Sequence, residues 1–400
     1  RDLHSFPTRR SSDLGALKKM TIKWSGWSTV RNLSASGSAN CYVVKPGGSY
    51  KFKTSVRGNG VDTHYKISAT EYATIKGSFT EAEILVQDHA QLIWEVANTT
   101  DATDASQDAN VIDGAPVYSG DGYINFKTGT AGGNAVIAIV DNKNTVLWSW
   151  HIWSTEDAEA IINCTAITPT TKMMDRNLGA GRNANLGIKI VSSNSSTPVD
   201  FLDRGLFYQW GRKDPFTSPL KNDGKLTTLY NVRSVGSRSK TTSEEPLTLA
   251  QAINNPDIFI SRIWSDDTWC TKTSNSEITE MRYVWGNPEG TITDYPSSTI
   301  KTIYDPCPVG YKISPFDAFF IFNESGLNMD GVTAYVEDKM IFLPITSTPG
   351  WAISSAAGGM YWSSSPYGRR TDNVDAIGRG AILFFHPVNT VTTTLWQGFV

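Results

Sequence analysis

Four stretches of the chain carry side chains of the kind that do chemistry: Glu244–Glu245, Asp266–Asp267, "MMDRNLGA" with Asp175, Arg176 and Asn177, and "WGNPEG" with Asn287, Pro288 and Glu289. Two carboxylates working as acid and base must converge on one bond. Adjacent residues of a loop or strand point apart, so both acidic pairs read as solvated charges. Asp175 has the chemistry of an acid or a ligand. Beside Arg176 it reads instead as half of a buried ion pair closing a strand and turn, because a buried charge needs a partner. Asn287 and Glu289 offer the oxygen ligands that calcium takes. The triplet stands in the wrong order, however, and Trp362 is followed by Ser363 rather than by the Asn-Asp that would complete such a site. The His residues are scattered and form no HExxH. Cys41, Cys164, Cys270 and Cys307 include no CxxC, so zinc ribbons and dithiol redox sites are not expected. The reading is therefore of a non-enzyme, with no cofactor and no metal.

The chemistry that remains is recognition. "GGMYWSSSPYGRR", residues 358–370, places a Trp among Tyr and Ser and then runs into a loop with two Arg. In a strand, Tyr361 and Ser363 share one face while Trp362 and Ser364 share the other. Trp362 reads as core. Tyr361 and Ser363, with Tyr367, Arg369, Arg370, Asp372 and Asn373 beyond them, read as a ligand-binding rim, and Arg379 and Trp396 as its outer members. Aromatic, guanidinium and amide groups together are what binding surfaces favour. The plain alternative is a hairpin loop that binds nothing. In "GLFYQWGRKDPF", Phe207, Tyr208 and Trp210 are either a platform for a sugar ring or core residues. The core reading is preferred, with Gly211 making a tight bend and Pro215 ending the block.

Composition narrows the class. Charged residues are 19% of the chain and the net charge is −3. No basic stripe of the sort that tracks phosphates is visible, so nucleic acid is not an expected partner. No apolar run approaches the roughly 18 residues of a membrane span. Thirteen Trp in 400 residues suit a rigid, β-rich extracellular protein or a carbohydrate binder. The length suggests two domains or three.

The elements follow from pattern. "ANCYVVKPGGSYKFKTSV" is an apolar strand, a Pro-Gly-Gly turn and a second strand with Tyr50, Phe52, Thr54 and Val56 on one face. "AQLIWEV" is another strand. "GYINFKTG" alternates Tyr123 and Asn125 against Ile124 and Phe126. "GNAVIAIVDNKNTVLWSWHIW" has the turn chemistry of a hairpin. Short strands without helical period make residues 24–155 a β-sandwich. Residues 154–164 read as a link, with one helical turn near Asp157–Ile161. From 160 to 400 the strands shorten and the loops lengthen. Helices are expected in "LTLAQAINNP", stopped by Pro256, and in "SPFDAFFIFNESG", capped by Ser314. "KMIFLPI", "GMYWSSS", "GRGAILFFHP" and "TTTLWQGFV" read as a strand series. The second unit is thus α+β.

These blocks carry a resemblance. "SANCYVVKPGGSYKFKT", "GNAVIAIVDN" and "VLWSWHIW" resemble the β-domain of fimbrillin-type surface proteins of Bacteroidales. "MMDRNLGA", "GLFYQWGRKDPF", "YDPCPVGYKI" and "YWSSS", in that order, resemble the Fibrobacter succinogenes major paralogous domain. The resemblance implies an exported cell-surface protein, often a lipoprotein or pilus-associated subunit. It implies a C-type-lectin-like or formylglycine-generating-enzyme-like fold for residues 160–400. It also implies a ligand face on the C-terminal strands. The expected partner is a host or microbial glycan or surface protein, in an adhesin-like or pilus-tip-like role. The alternative is a structural pilin-like subunit that binds only its neighbours. Formylglycine-type oxidation would need Cys270 and Cys307 in one pocket, and their surroundings do not suggest it. The family usually continues into a further strand whose Cys can pair with the Cys of the "DPCP" block, here Cys307. The chain is therefore expected to be truncated at its C-terminus. Residues 1–14, "RDLHSFPTRRSSDL", resemble one reading frame of a common sequencing adapter, so residues 1–20 are expected to be artefact and linker, with any export signal missing.

Overall fold

The structure is a computed structural model. It describes residues 29–58, 87–97, 110–156, 161–164, 171–174, 176–181, 205–206, 208–216, 241–243, 247, 249–260, 284–285, 301–315, 327–330, 333–336, 341–344, 359–367, 379–385 and 397–398. These residues are mainly strand, with little helix. The first strands are β1 (Arg31–Asn32), β2 (Cys41–Val44), β3 (Ser49–Lys53), β4 (His89–Ala97), β5 (Val117–Tyr118), β6 (Tyr123–Lys127), β7 (Gly133–Val140) and β8 (Val146–Ser154). They make two four-stranded mixed sheets, ordered β1-β3-β6-β5 and β2-β8-β7-β4. β1 runs parallel to β3, and β2 parallel to β8; the other neighbours are antiparallel.

The alternation in the first sheet is that of strands with one wet face. In β3, Tyr50 and Phe52 are buried between partly exposed or exposed Lys51 and Lys53; in β6, Ile124 and Phe126 are buried between Tyr123 and Asn125. The second sheet is covered on both faces, which is why its sequence is apolar without alternation. Every residue of β7 is buried. Ile137, Ile139, Trp148, Trp150 and Ile152 face the first sheet's core, while Val136, Ala138 and Val140 pack with Ile93 and Trp94 on the other side. Phe52 joins the sheets, with its ring centroid 5.0 Å from Trp150 and 5.1 Å from Tyr42.

The β7–β8 hairpin forms as its turn residues predict. Asp141 Oδ1 accepts the backbone N–H of Lys143 and Thr145, and Asn144 takes φ +63°. The Pro-Gly-Gly turn does something else. β2 and β3 lie in different sheets, so this turn is a crossing between them and not a hairpin. It is held by Thr128 Oγ1, which donates to Lys45 O and accepts Gly48 N–H. A Cβ on Gly48 would sit 2.3 Å from Tyr50 Oη, so a side chain there has no room.

The remaining elements are β9 (Ile161–Cys164), β10 (Thr171–Met174), β11 (Thr241–Ser243), α1 (Leu249–Asn254), β12 (Ile258–Ile260), β13 (Leu327–Asp330), β14 (Thr333–Val336), β15 (Ile341–Pro344), β16 (Gly359–Tyr367), β17 (Arg379–Phe385) and β18 (Gln397–Gly398). The stretch read as a link contains β9, which pairs with β10. α1 ends before Pro256, as expected, whereas residues 316–326 of the second expected helix lie outside the described residues. The four late blocks read as strands contain β15, β16, β17 and β18. Tyr208, Trp210, Ala252, Ile253, Val284, Trp285 and Tyr304 belong to the same buried cluster as the inner faces of the two sheets. Among the described residues no helix is long and apolar enough to cross a membrane.

Candidate functional site

The strand that carries the recognition reading, β16, is pinned to the core by three hydrogen bonds. Trp362 Nε1–H donates to Tyr208 O at 2.9 Å. Trp210 Nε1–H donates to Ser363 O at 2.8 Å, and Ser364 N–H donates to Ser314 O at 2.8 Å. Buried indole N–H groups need acceptors, and here they find them on backbone carbonyls of distant segments. Trp362 is half-buried against the central cluster, in line with its reading as core. β16 pairs antiparallel with β17, and its register is interrupted between Trp362 and Pro366.

One expected site residue is corrected. Ser363 is fully buried, as is Ser364, so Ser363 does not line a ligand surface. The irregularity after Trp362 breaks the period-two alternation on which the expectation rested, and the Trp210 indole lies against the Ser363 carbonyl. Tyr361 stands in β16 opposite Leu383. Tyr367 and Arg379 are directly paired where β16 and β17 separate. The register thus brings two of the expected residues to one end of the strand pair. Arg369, Arg370, Asp372, Asn373 and Trp396 lie outside the described residues.

The "GRKDPF" block forms a second polar constellation that its aromatic flanks concealed. Arg212, Lys213 and Asp214 are all buried. Lys213 Nζ donates to Ser149 O at 3.0 Å, to Ser149 Oγ and to Asp214 Oδ1, and Ser149 Oγ–H donates to Asp214 Oδ1 at 2.6 Å. The ammonium also lies 4.6 Å from the ring centroid of Trp148, whose other cationic neighbour is Arg57 at 5.4 Å. Burial pushes the Lys213 ammonium below its ordinary range, and Asp214 pulls it part of the way back. A Ser–Lys pair beside a carboxylate has the residue types of a nucleophile and base. Ser149, Lys213 and Asp214 are 1%, 3% and 4% exposed, so the trio is sealed from solvent and joins β8 to this block. The sequence signal was present: three charges between Trp210 and Phe216 are charges in an apolar setting.

Further bonds complete that joint. Trp148 Nε1–H donates to Asn40 Oδ1 at 3.0 Å, and Asn40 Nδ2 donates to Ile303 O and Asp305 O. Asp305 accepts from Cys307 N–H, Ile313 N–H and Lys301 Nζ. Arg212 donates to Ala252 O, Asn255 O and Ile258 O at the end of α1 and stacks on Phe216. On the second sheet, Asn134 Nδ2 donates to Gly179 O and Trp153 Nε1–H to Ala180 O. His151 donates from Nε2 to Asn134 Oδ1. Burial pulls its pKa from 6.5 down to about 3, so this imidazole is neutral.

The other candidates resolve toward structure. Tyr208 and Trp210 are 9% and 1% exposed and leave no ring face for a sugar, while Gly211 takes φ +86° at the expected bend. Arg176 is buried. Phe207, Asp175, Asn287, Glu289 and both acidic pairs lie outside the described residues. No group of His, Cys, Asp and Glu fit to hold a metal occurs among the described residues. Comparison with protein-family models, with curated proteins and with solved structures finds no match.

Proposed function

We propose that the chain is an exported surface binding protein, adhesin-like or pilus-tip-like, that captures a glycan or a protein through the loop joining β16 to β17. On this reading residues 24–155 are a β-sandwich and residues 160–400 a C-type-lectin-like α+β domain. The observation that carries it is the anchoring of β16: indole and backbone hydrogen bonds fix the strand to a Trp-rich core on the near side of the loop. Recognition loops work best on rigid scaffolds, and this loop holds Arg369, Arg370, Asp372 and Asn373 between the paired Tyr367 and Arg379. The structural pilin alternative needs a sheet edge that accepts a strand. The described edges β1 and β5 of the first sheet are two residues long, and short edges resist such addition; the nine-residue edge β4 of the second sheet is the place where an added strand would have to pair.

The test is a glycan array together with immobilised extracellular-matrix proteins, probed with the chain and with a Tyr367→Ala/Arg369→Ala/Arg370→Ala variant. Binding lost at an unchanged melting temperature supports the reading. Binding retained by the variant moves the site elsewhere. Polymerisation of the chain without any captured ligand favours the pilin reading.

A further inference from the structure

We propose that Cys41 and Cys307 form a disulfide that ties β2 to the "DPCP" turn. Cys41 opens β2 and makes an isolated parallel bridge with Pro308, the residue next to Cys307. Bridged strands lie about 4.8 Å apart with a rise of about 3.3 Å per residue, which puts the two α-carbons roughly 6 Å apart. That falls inside the range disulfides span. Because the bridge is isolated and Pro308 sits in a turn, ladder alternation does not force the two side chains onto opposite faces.

Both flanks are held in place. Asn40 Nδ2 donates to Ile303 O at 2.6 Å and to Asp305 O at 2.9 Å, just before each cysteine. Cys307 N–H donates to Asp305 Oδ1 at 2.8 Å, and Cys307 O accepts from Lys301 Nζ at 2.9 Å. The cysteines are 0% and 4% exposed and stand as free thiols in this structure. A lone buried cysteine is most often a small hydrophobe. Two of them, distant in sequence, one bridged to the residue that follows the other, have a shorter route to one another than to any reagent.

Closing the bond breaks two S–H bonds and forms one S–S bond. The two electrons and two protons pass to a disulfide oxidant, either oxidised glutathione or the disulfide of a thiol oxidase, which leaves as two thiols. Burial raises both thiols well above their ordinary range. Exchange proceeds through the thiolate, so the bond forms while the chain is folding, before this seam closes. This pairing differs from the one the family resemblance implies, in which the Cys of the turn pairs with a residue further along.

The full chain is produced in an oxidising bacterial periplasm, alkylated under denaturing non-reducing conditions and digested. The expected result is one cross-linked pair of peptides holding Cys41 and Cys307, lighter by two hydrogens than the reduced pair and lost on treatment with dithiothreitol. The melting temperature should fall by about 5–10 °C on reduction. Cys41→Ser should lower it to the reduced value and become insensitive to reductant. Recovery of both residues alkylated under these denaturing non-reducing conditions overturns the proposal, as does a Cys307 peptide joined to Cys164 or Cys270. The same mapping after refolding in a glutathione redox buffer decides the matter if the periplasmic material is not folded.

Discussion

Two hairpins built on tryptophan strands behave differently in this molecule. β7 and β8 are joined by a five-residue turn, are buried on both faces and carry Trp148, Trp150 and Trp153 at the bottom of the core. β16 and β17 have an interrupted register and a much longer connection, and the tryptophan of β16 is only half-buried. In the first pair the indoles are filling; the Trp153 N–H reaches Ala180, and the Trp148 N–H bonds Asn40, whose amide in turn donates to Ile303 O and Asp305 O. In the second pair the indole bonds of Trp210 and Trp362 tether β16 to the segment around Tyr208 and Trp210. The same residue type thus fills the core in one place and, on the proposed reading, steadies a binding strand in the other.

The comparison breaks most visibly at Trp150. Trp150→Ala removes the indole that meets Phe52 between the sheets, and about 3–5 kcal/mol of stability should be lost, read as a drop in the urea midpoint. Next comes pH. His151 binds its proton at 6.5 in the unfolded chain but only near pH 3 when folded, so stability is full above 6.5 and falls as pH drops toward 3. At pH 4.5 the loss from this one group should be about 2–3 kcal/mol relative to pH 7, and His151→Gln should flatten that slope in paired denaturation curves. Trp210→Phe keeps the bulk but leaves the Ser363 carbonyl without its indole donor; about 1–2 kcal/mol should go, and ligand capture should weaken with it. Asp141→Ala frees the N–H groups of Lys143 and Thr145 in an exposed turn and should cost about 1 kcal/mol without touching binding. An equal loss of binding in the Trp210 and Asp141 variants, measured at matched stability, would erase the distinction between the two hairpins.

Local pattern made much of this legible. β4, β6 and the β7–β8 pair follow from runs of apolar residues and from the turn chemistry of Asp141 and Asn144. α1 follows from helical spacing and Pro256. Pairing between distant segments did not follow. A Pro-Gly-Gly turn looks alike whether it closes a hairpin or crosses between sheets, and only the parallel partnership of β2 with β8 decides it. At the candidate site, Trp362 was rightly placed against the core, but alternation misassigned Ser363, because a register shift is not written in residue types. The buried Lys213–Asp214–Ser149 joint also escaped: the charges between Trp210 and Phe216 were a signal of burial, but nothing local names Ser149, 64 and 65 positions earlier, as their partner.

The seam around Trp148 has a consequence for how the protein can be dissected. Cutting after Thr155 would strip the Asn40 amide of its carbonyl acceptors, uncap the Ser149 carbonyl and lay bare the indole that Tyr304 and Lys213 cover. Neither piece would keep its solubility, and heating the intact protein should melt both halves in a single calorimetric peak. The bonds across this seam bind the two halves as one unit rather than as exchangeable modules.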